Sequence, residues 1–536
     1  MAKGYLALIL HAHLPFVRHP EYPEFLEEDW LYEAITETYI PIIQVMQGLV
    51  ADKVPFHLTM SLTPPLCSML RDPLLQERYV RYLDRAIALA QQEIERTKHD
   101  SRLHHLAKFY LERFTTCRCL FVEEWKCELL PVFAKLQDIG VLEIITCAAT
   151  HGFLPLMQNF KEAVRAQIFI ARDHYRECFG RDPQGMWLPE CGYVAGVESI
   201  LAEANIRWFV IDSHGLMFGN PRPRYAIFSP CYTPAGPAAF ARDRESSRQV
   251  WSSEDGYPGD PAYRDFYRDV GFDLEHEYVK PYLPPDGTRK FTGIKYHRIT
   301  GNTPDKDVYN RTWAMGAADA HADHFVHARV QQIEQLIENT NIEPIVVSPY
   351  DAELFGHWWF EGPEFLNLFL RKAVYDQTTF ELTSPGQFLA GHPTQQLLVP
   401  SASSWGHKGY WEVWLDDSNS WIYPHLHMAA RRMTEVATEF AAEEAEQPLT
   451  PIVERTLKQM VRELLLAQSS DWAFLMKTGT ARNYATKRTK DHILRFTRLY
   501  DQVRGRNIDE KFLANCEWRD NLFPNLEWRY YAAAEA

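Results

Sequence analysis

Gly185-Met-Trp-Leu-Pro-Glu190-Cys-Gly-Tyr193 decides the fold. A short apolar run, Met186–Leu188, ends in a carboxylate, and helical sequence, Val194–Ala204, follows at once. This is the outline of a strand that delivers a polar side chain at its carboxyl end before the chain returns through a helix. The outline repeats along the chain. Tyr5–Leu10 runs into His11 and His13, Leu142–Cys147 precedes His151, Trp208–Ile211 precedes Asp212 and His214, and Ile345–Val347 precedes Asp351. With Phe56–Leu62 as a further strand and Lys161–Cys178 as a helix, the alternation predicts an α/β fold: a parallel sheet closed or nearly closed into a barrel. The carboxyl ends of such strands carry the chemistry. That is where His, Glu and Asp recur here.

Three regions depart from the alternation. Arg71–Gly140 has apolar residues at helical spacing and reads as a helical insertion. Phe228–Lys290 is rich in Pro, Gly, charge and aromatics and reads as a lid-like loop over a substrate cleft. After Pro400, tryptophan-rich turns give way to amphipathic helices at Pro424–Ala445 and Pro451–Gln468. The expected division is a catalytic barrel over 1–400 and a helical C-terminal domain over 401–536 that contributes to the cleft.

Composition narrows the function. The 536 residues are 46% hydrophobic, enough for a large core, and the net charge of −15 repels nucleic acid. The first apolar run is too short to span a bilayer and is not built like a signal peptide, so a cytoplasmic location is expected. Nine cysteines without a paired CxxC pattern read as reduced, structural thiols. Fifteen tryptophans offer flat faces suited to sugar rings.

Glu190, between Trp187 and Tyr193, suits attack on a sugar carbon, although a cap on the helix near Val194 is the plainer reading. Tyr350-Asp351-Ala-Glu353 supplies the second carboxylate at another strand end, with one of its two acids structural. A glycosidase needs two such carboxyls. His11-Ala-His13 leaves three options open: contacts to sugar hydroxyls, a metal site with Asp212, His214 or His151 as in a deacetylase or mannosidase, or a packed core pair. In the loop, Tyr232 and Phe272 are candidate stacking surfaces facing Trp405 and Trp414, and His151, Arg264 and Trp359 complete the candidate substrate contacts.

Five segments, His11–Pro15, His151–Met157, Trp187–Tyr193, Tyr350–Pro363 and Trp405–Trp414, together resemble glycoside hydrolase family 57 in its own order. The resemblance implies a (β/α)7 barrel, a retaining mechanism on α-1,4-glucans, Glu190 as nucleophile and Asp351 as acid/base. It implies no metal and no cofactor, with His11 and His13 on the sugar. Within the family, the run Tyr350-Asp-Ala-Glu-Leu-Phe-Gly-His-Trp-Trp-Phe-Glu-Gly-Pro363 is most similar to the 1,4-α-glucan branching enzymes. That likeness implies glucan contacts at Trp30, Trp405, Trp414 and Asp471, with Phe272 where some of those enzymes carry tryptophan. An amylase or 4-α-glucanotransferase of the same family would share both carboxylates.

Overall fold

A computed structural model describes residues 3–252, 256–301 and 303–533. Ten strands lie in one sheet: β1 Gly4–Ala12, β2 Leu58–Leu62, β3 Leu142–Cys147, β4 Gly185–Trp187, β5 Trp208–Ile211, β6 Cys231–Tyr232, β7 Ala238–Ala241, β8 Ile345–Asp351, β9 Phe380–Leu382 and β10 Gln396–Leu397. Seven of them, in the order β7-β5-β4-β3-β2-β1-β8, pair in parallel and form the wall. No ladder joins β7 to β8 among the described residues. The gap is stitched just past β7, where Asp243 N–H donates to the Val347 carbonyl at 2.8 Å and Tyr350 Oη donates to the Ser246 carbonyl at 2.9 Å. The result is a distorted seven-stranded α/β barrel, as the sequence predicts.

Both faces of these strands are buried, which is why they read as continuous apolar runs rather than alternating ones. Ala7, Ile9, Ile145, Cys147, Trp187, Trp208, Val210, Phe240 and Val347 point inward and pack on one another. Leu6, Leu8, Leu10, Met60, Ile144 and Phe209 point outward into the helices. Gly185 is dictated by packing, since a Cβ there would lie 2.3 Å from the Trp208 ring.

Helices Pro73–Thr97, Ser101–Arg118 and Leu130–Ile139 occupy the stretch between β2 and β3. Asp72 and Asp100 cap the first two, each carboxylate accepting from two backbone N–H groups of the opening turn. Beyond the barrel, helices Ile422–Glu446, Pro451–Ala467, Ser470–Thr478, Arg482–Arg504 and Glu510–Arg519 pack together. The described part of the 228–290 stretch carries regular structure. Its first third holds β6 and β7, and helix Arg244–Trp251 follows with Asp243 as its cap.

This topology corrects one expectation directly. Tyr232 lies in β6 opposite Ala238, the first residue of β7, and so sits at the amino end of the barrel, away from the carboxylates. It borders a separate cavity there with Trp208 and Glu143.

Candidate active site

Glu190 leaves β4 in a left-handed conformation, φ +60°, and Cys191 follows at φ +50°. Gly192 is extended, so the turn is made by the two side-chain-bearing residues rather than by the glycine. Such backbone in non-glycine residues costs free energy and persists where surroundings impose it. Here the surroundings are specific. Trp405 Nε1 donates to Glu190 Oε2 at 2.8 Å and Ser470 Oγ donates to Oε1 at 3.1 Å. The capping alternative is excluded, because the next helix starts at Val197 after Gly196 and both Glu190 oxygens are engaged elsewhere.

Three imidazoles form a stack beside it. His11 and His151 share a 3.0 Å Nε2–Nε2 hydrogen bond, and the His13 and His151 ring centres are 3.8 Å apart. Trp187 closes the stack at 4.6 Å from His11. His13 Nε2 lies 3.1 Å from both Asp471 carboxylate oxygens, while Thr63 holds its Nδ1 at 3.0 Å. The C-terminal helices therefore reach into the barrel mouth: Ser470 N–H donates to the His151 carbonyl, and its hydroxyl lies 2.8 Å from His151 Nδ1.

Asp351 ends β8 in register with His11. Two residues on, Glu353 accepts from His13 N–H at 3.1 Å and from the Tyr39 hydroxyl. Tyr39 is aimed there by a π-helical turn, Ile35–Tyr39, of the kind that recurs at functional sites. The same turn sets Glu37 against His357 Nδ1 at 2.8 Å.

Electrostatics separates the acids. Burial pushes the Glu190 carboxyl up to about 7, with the Trp405 hydrogen bond opposing and the Asp471 charge adding to the rise. Burial raises Asp351 well above the carboxylate range, and the negative charges of Glu353 and Glu190 raise it further. Asp471 is held at about 2, since the charge and hydrogen bond of His13 outweigh its burial. His13 is lifted above the usual imidazole range: burial works against its charge, but Asp471, Glu353 and Glu190 win. Burial holds His11 and His151 well below that range, with His151 and His13 adding to the effect at His11 and His13 at His151, so both stay neutral.

The structure thus brings together Glu190, Asp351, His11, His13, His151, Trp405 and Asp471. Trp30 is half-buried on Tyr484, whose ring meets Trp472 beside Asp471. Phe272 is half exposed and meets Phe291 edge-on, which leads through Phe266 to the exposed Trp358.

Three other candidates are buried in the wall. Trp414 is fully buried and stacks on Phe153 at 4.4 Å, with Gly406 tight against its ring. Trp359 is fully buried among Tyr263, Phe355 and Phe365, because neighbouring residues of its turn point opposite ways and Trp358 takes the outside. Arg264 is buried, paired to Glu37 at 3.0 Å and lying over the Phe360 ring. All three brace the wall rather than offer a sugar contact. Ser470, Tyr39 and Arg242, whose guanidinium lies over the Trp405 ring and opposes the rise at Asp351, are site residues that the sequence reading does not include. Only Ser470 had a sequence signal, its place beside Asp471.

Metal ligation is geometrically available at two places in the site. The donor atoms of His11, Cys147 and His151 lie within 4.8 Å of one another, as do those of His13, His151 and Asp471. In the second set the donors already bond to protein partners; in the first, His11 Nε2 is joined to His151, while His11 Nδ1 has no hydrogen-bond partner among the described residues.

Residues 425–531 match the profile described as 1,4-alpha-glucan branching enzyme, C-terminal. The chain is 32% identical to the 1,4-alpha-glucan branching enzyme of Thermococcus kodakarensis, over 97% of this chain and 77% of that protein. Among solved structures, the alpha-amylase AmyC of Thermotoga maritima superposes with a TM-score of 0.92 at 46% identity, over 99% of this chain and 100% of that one. The GH57-type branching enzyme of Pyrococcus horikoshii gives 0.88 at 33% identity, over 99% and 97%. With residues 7–401 matching the profile of Glycosyl hydrolase family 57, the chain belongs to that family.

Proposed function

We propose that this protein is a 1,4-α-glucan branching enzyme. One observation carries the reading: the C-terminal segment that matches the branching-enzyme profile is the one that places Ser470 on Glu190 and Asp471 on His13. The barrel of 1–400 then acts as the catalytic part, and 401–536 completes its cleft.

In the reaction we infer, Glu190 attacks the anomeric carbon of an α-1,4 linkage while Asp351, kept protonated by burial and neighbouring charge, gives its proton to the departing oxygen. A glycosyl–Glu190 ester results. Asp351, now ionised, takes the proton of a glucan 6-hydroxyl, whose oxygen displaces Glu190 and forms an α-1,6 branch with the original configuration retained. Glu190 must be ionised to attack, and the hydrogen bonds from Trp405 and Ser470 favour that form. His13, charged against Asp471, adds a positive field beside it. Trp30, Phe272 and Trp405 serve the glucan, and the product belongs to storage polysaccharide of the glycogen or starch type.

The 46% identity to an alpha-amylase structure favours a second reading, in which water replaces the 6-hydroxyl. Incubation with amylose separates the two when new reducing ends and α-1,6 linkages are counted independently. Branching gives α-1,6 linkages with few new reducing ends. Reducing ends rising without α-1,6 linkages would make the protein an amylase, and redistribution of α-1,4 chain lengths alone would make it a 4-α-glucanotransferase.

A further inference from the structure

Away from the cleft, two thiols meet where helix Pro64–Leu70 packs on helix Lys161–Phe179. Cys67 is buried and donates to the Leu62 carbonyl at 3.7 Å, while Cys178 is partly exposed and faces it across the packed helices. Arg71 Nη1 lies 3.6 Å from the Cys178 sulfur, and both ring nitrogens of His174 lie 3.8 Å from it. Ser68 holds His174 in place at 3.1 Å. The other partly exposed cysteines have opposite surroundings: Cys119 meets the Glu123 carboxylate at 3.6 Å, and Glu128 faces Cys127, so each thiol is pushed up.

We propose that Cys178 and Cys67 are a redox couple, oxidised by hydrogen peroxide to a reversible disulfide. The roles follow from the neighbours. Cys178, beside Arg71 and His174, is the thiol that these groups favour as thiolate, and Cys67, buried on the Leu62 carbonyl, is the resolving thiol. Cys178 sits at the end of its helix, where the backbone dipole opposes a thiolate, so the cation beside it has to overcome that field. The Cys178 thiolate attacks one peroxide oxygen. The O–O bond breaks, the displaced hydroxide takes a proton to become water, and Cys178 is left as a sulfenic acid. The Cys67 sulfur gives up its proton and attacks the sulfenic sulfur, expelling a second water. One peroxide is reduced by two electrons and two thiols become one disulfide.

The bond would tie together two elements that hold the imidazole stack. Thr63, just before helix Pro64–Leu70, bonds His13, and Gln167 on the other helix accepts from the backbone of Thr150, next to His151.

The test uses the intact chain. Iodoacetamide labelling at about pH 6, read by peptide mapping, should modify Cys178 at least about tenfold faster than Cys119 or Cys127. Hydrogen peroxide should then yield a linked Cys67–Cys178 peptide pair, two hydrogens lighter and reversed by dithiothreitol. Cys67→Ser should keep fast labelling but lose the link; Cys178→Ser should lose both. Equal labelling of the three surface thiols, or oxidation of Cys178 to a sulfinic acid with Cys67 still free, overturns the proposal.

Discussion

The two ends of the barrel make an instructive contrast. At the amino end a cavity of about 770 Å³ is bordered by Tyr232, Trp208, Glu143, Ser384 and Gln387, aromatic and polar groups in a roomy hollow. At the carboxyl end the groups are crowded, buried and ionically coupled. By room and lining alone the amino end would pass for a receptacle. The one acid lining it among the described residues, Glu143, is raised by burial, but its oxygens accept from Trp208 Nε1 and Gly386 N–H, and the lining offers no second carboxyl. The carboxyl end holds Glu353 and Glu190 close enough to raise Asp351 beyond its burial, and opposes both glutamates with His13. Chemistry follows opposed charges on rigid strand ends, not the size of a hollow.

Substitution at the two ends should therefore differ most. Glu190→Gln and Asp351→Asn should each lower kcat by about 10³-fold or more with the fold intact, because the isosteres keep volume but lose the nucleophile or the proton. Glu143→Gln should leave kcat/KM within about twofold, since the amide keeps the shape and one acceptor. Circular dichroism alongside amylose turnover checks all three. Comparable losses at both ends would erase the contrast.

A smaller effect tests how Glu190 is tuned. Trp405→Phe keeps an aromatic ring but removes the N–H that bonds Glu190 Oε2. That hydrogen bond lowers the Glu190 carboxyl, so its loss raises it further. Activity requires the ionised form, and the rising acid limb of the pH–rate profile should move to higher pH. Near neutrality the loss should be about tenfold, recovering as pH increases. A uniform loss at all pH values would mean that Trp405 acts on substrate alone.

Much of the carboxyl end was legible in sequence because it lies directly after strands. His11, His151, Glu190 and Asp351 each follow an apolar run, and parallel topology then fixes the end at which they emerge. Tyr232 was misplaced for the same reason in reverse. Ala238-Ala-Phe-Ala241 is too short and too small to announce a strand, and without it nothing shows that Tyr232 precedes β7 rather than follows β5. The tryptophans failed differently. Trp358 and Trp359 are adjacent, yet one is half exposed and the other fully buried, a choice made by Phe365 and Tyr263 packing from distant segments. The contribution of Ser470 depends on docking of the C-terminal helices, which local pattern does not encode.

Trp414 and Tyr232 put that lesson to use. Trp414→Ala should cost ~3–5 kcal/mol of stability, as truncation of a buried aromatic does, and lower the melting temperature. Among molecules that remain folded, the ratio of branching to hydrolysis should be unchanged, and Tyr232→Ala should leave it unchanged as well. A shifted ratio in Trp414→Ala without thermal loss would return that indole to the cleft.

The smallest effect expected is that of chelation. His13, His151 and Asp471 offer donors close enough for an ion, so the point turns on whether their lone pairs are free. His13 Nε2 lies against Asp471, with the imidazole raised and the carboxylate lowered, the pattern of a protonated ring paired to an anion. A protonated nitrogen has no lone pair for a metal. His151 Nε2 is joined to His11, and its Nδ1 to Ser470. Binding an ion would require deprotonating His13 and breaking the pair that makes the field beside Glu190. Exhaustive dialysis against a chelator should therefore leave turnover and melting temperature within error. Loss of activity restored by added zinc, with a matching rise in melting temperature, would show that this cluster is a metal site and that the His13–Asp471 pair is its unloaded form.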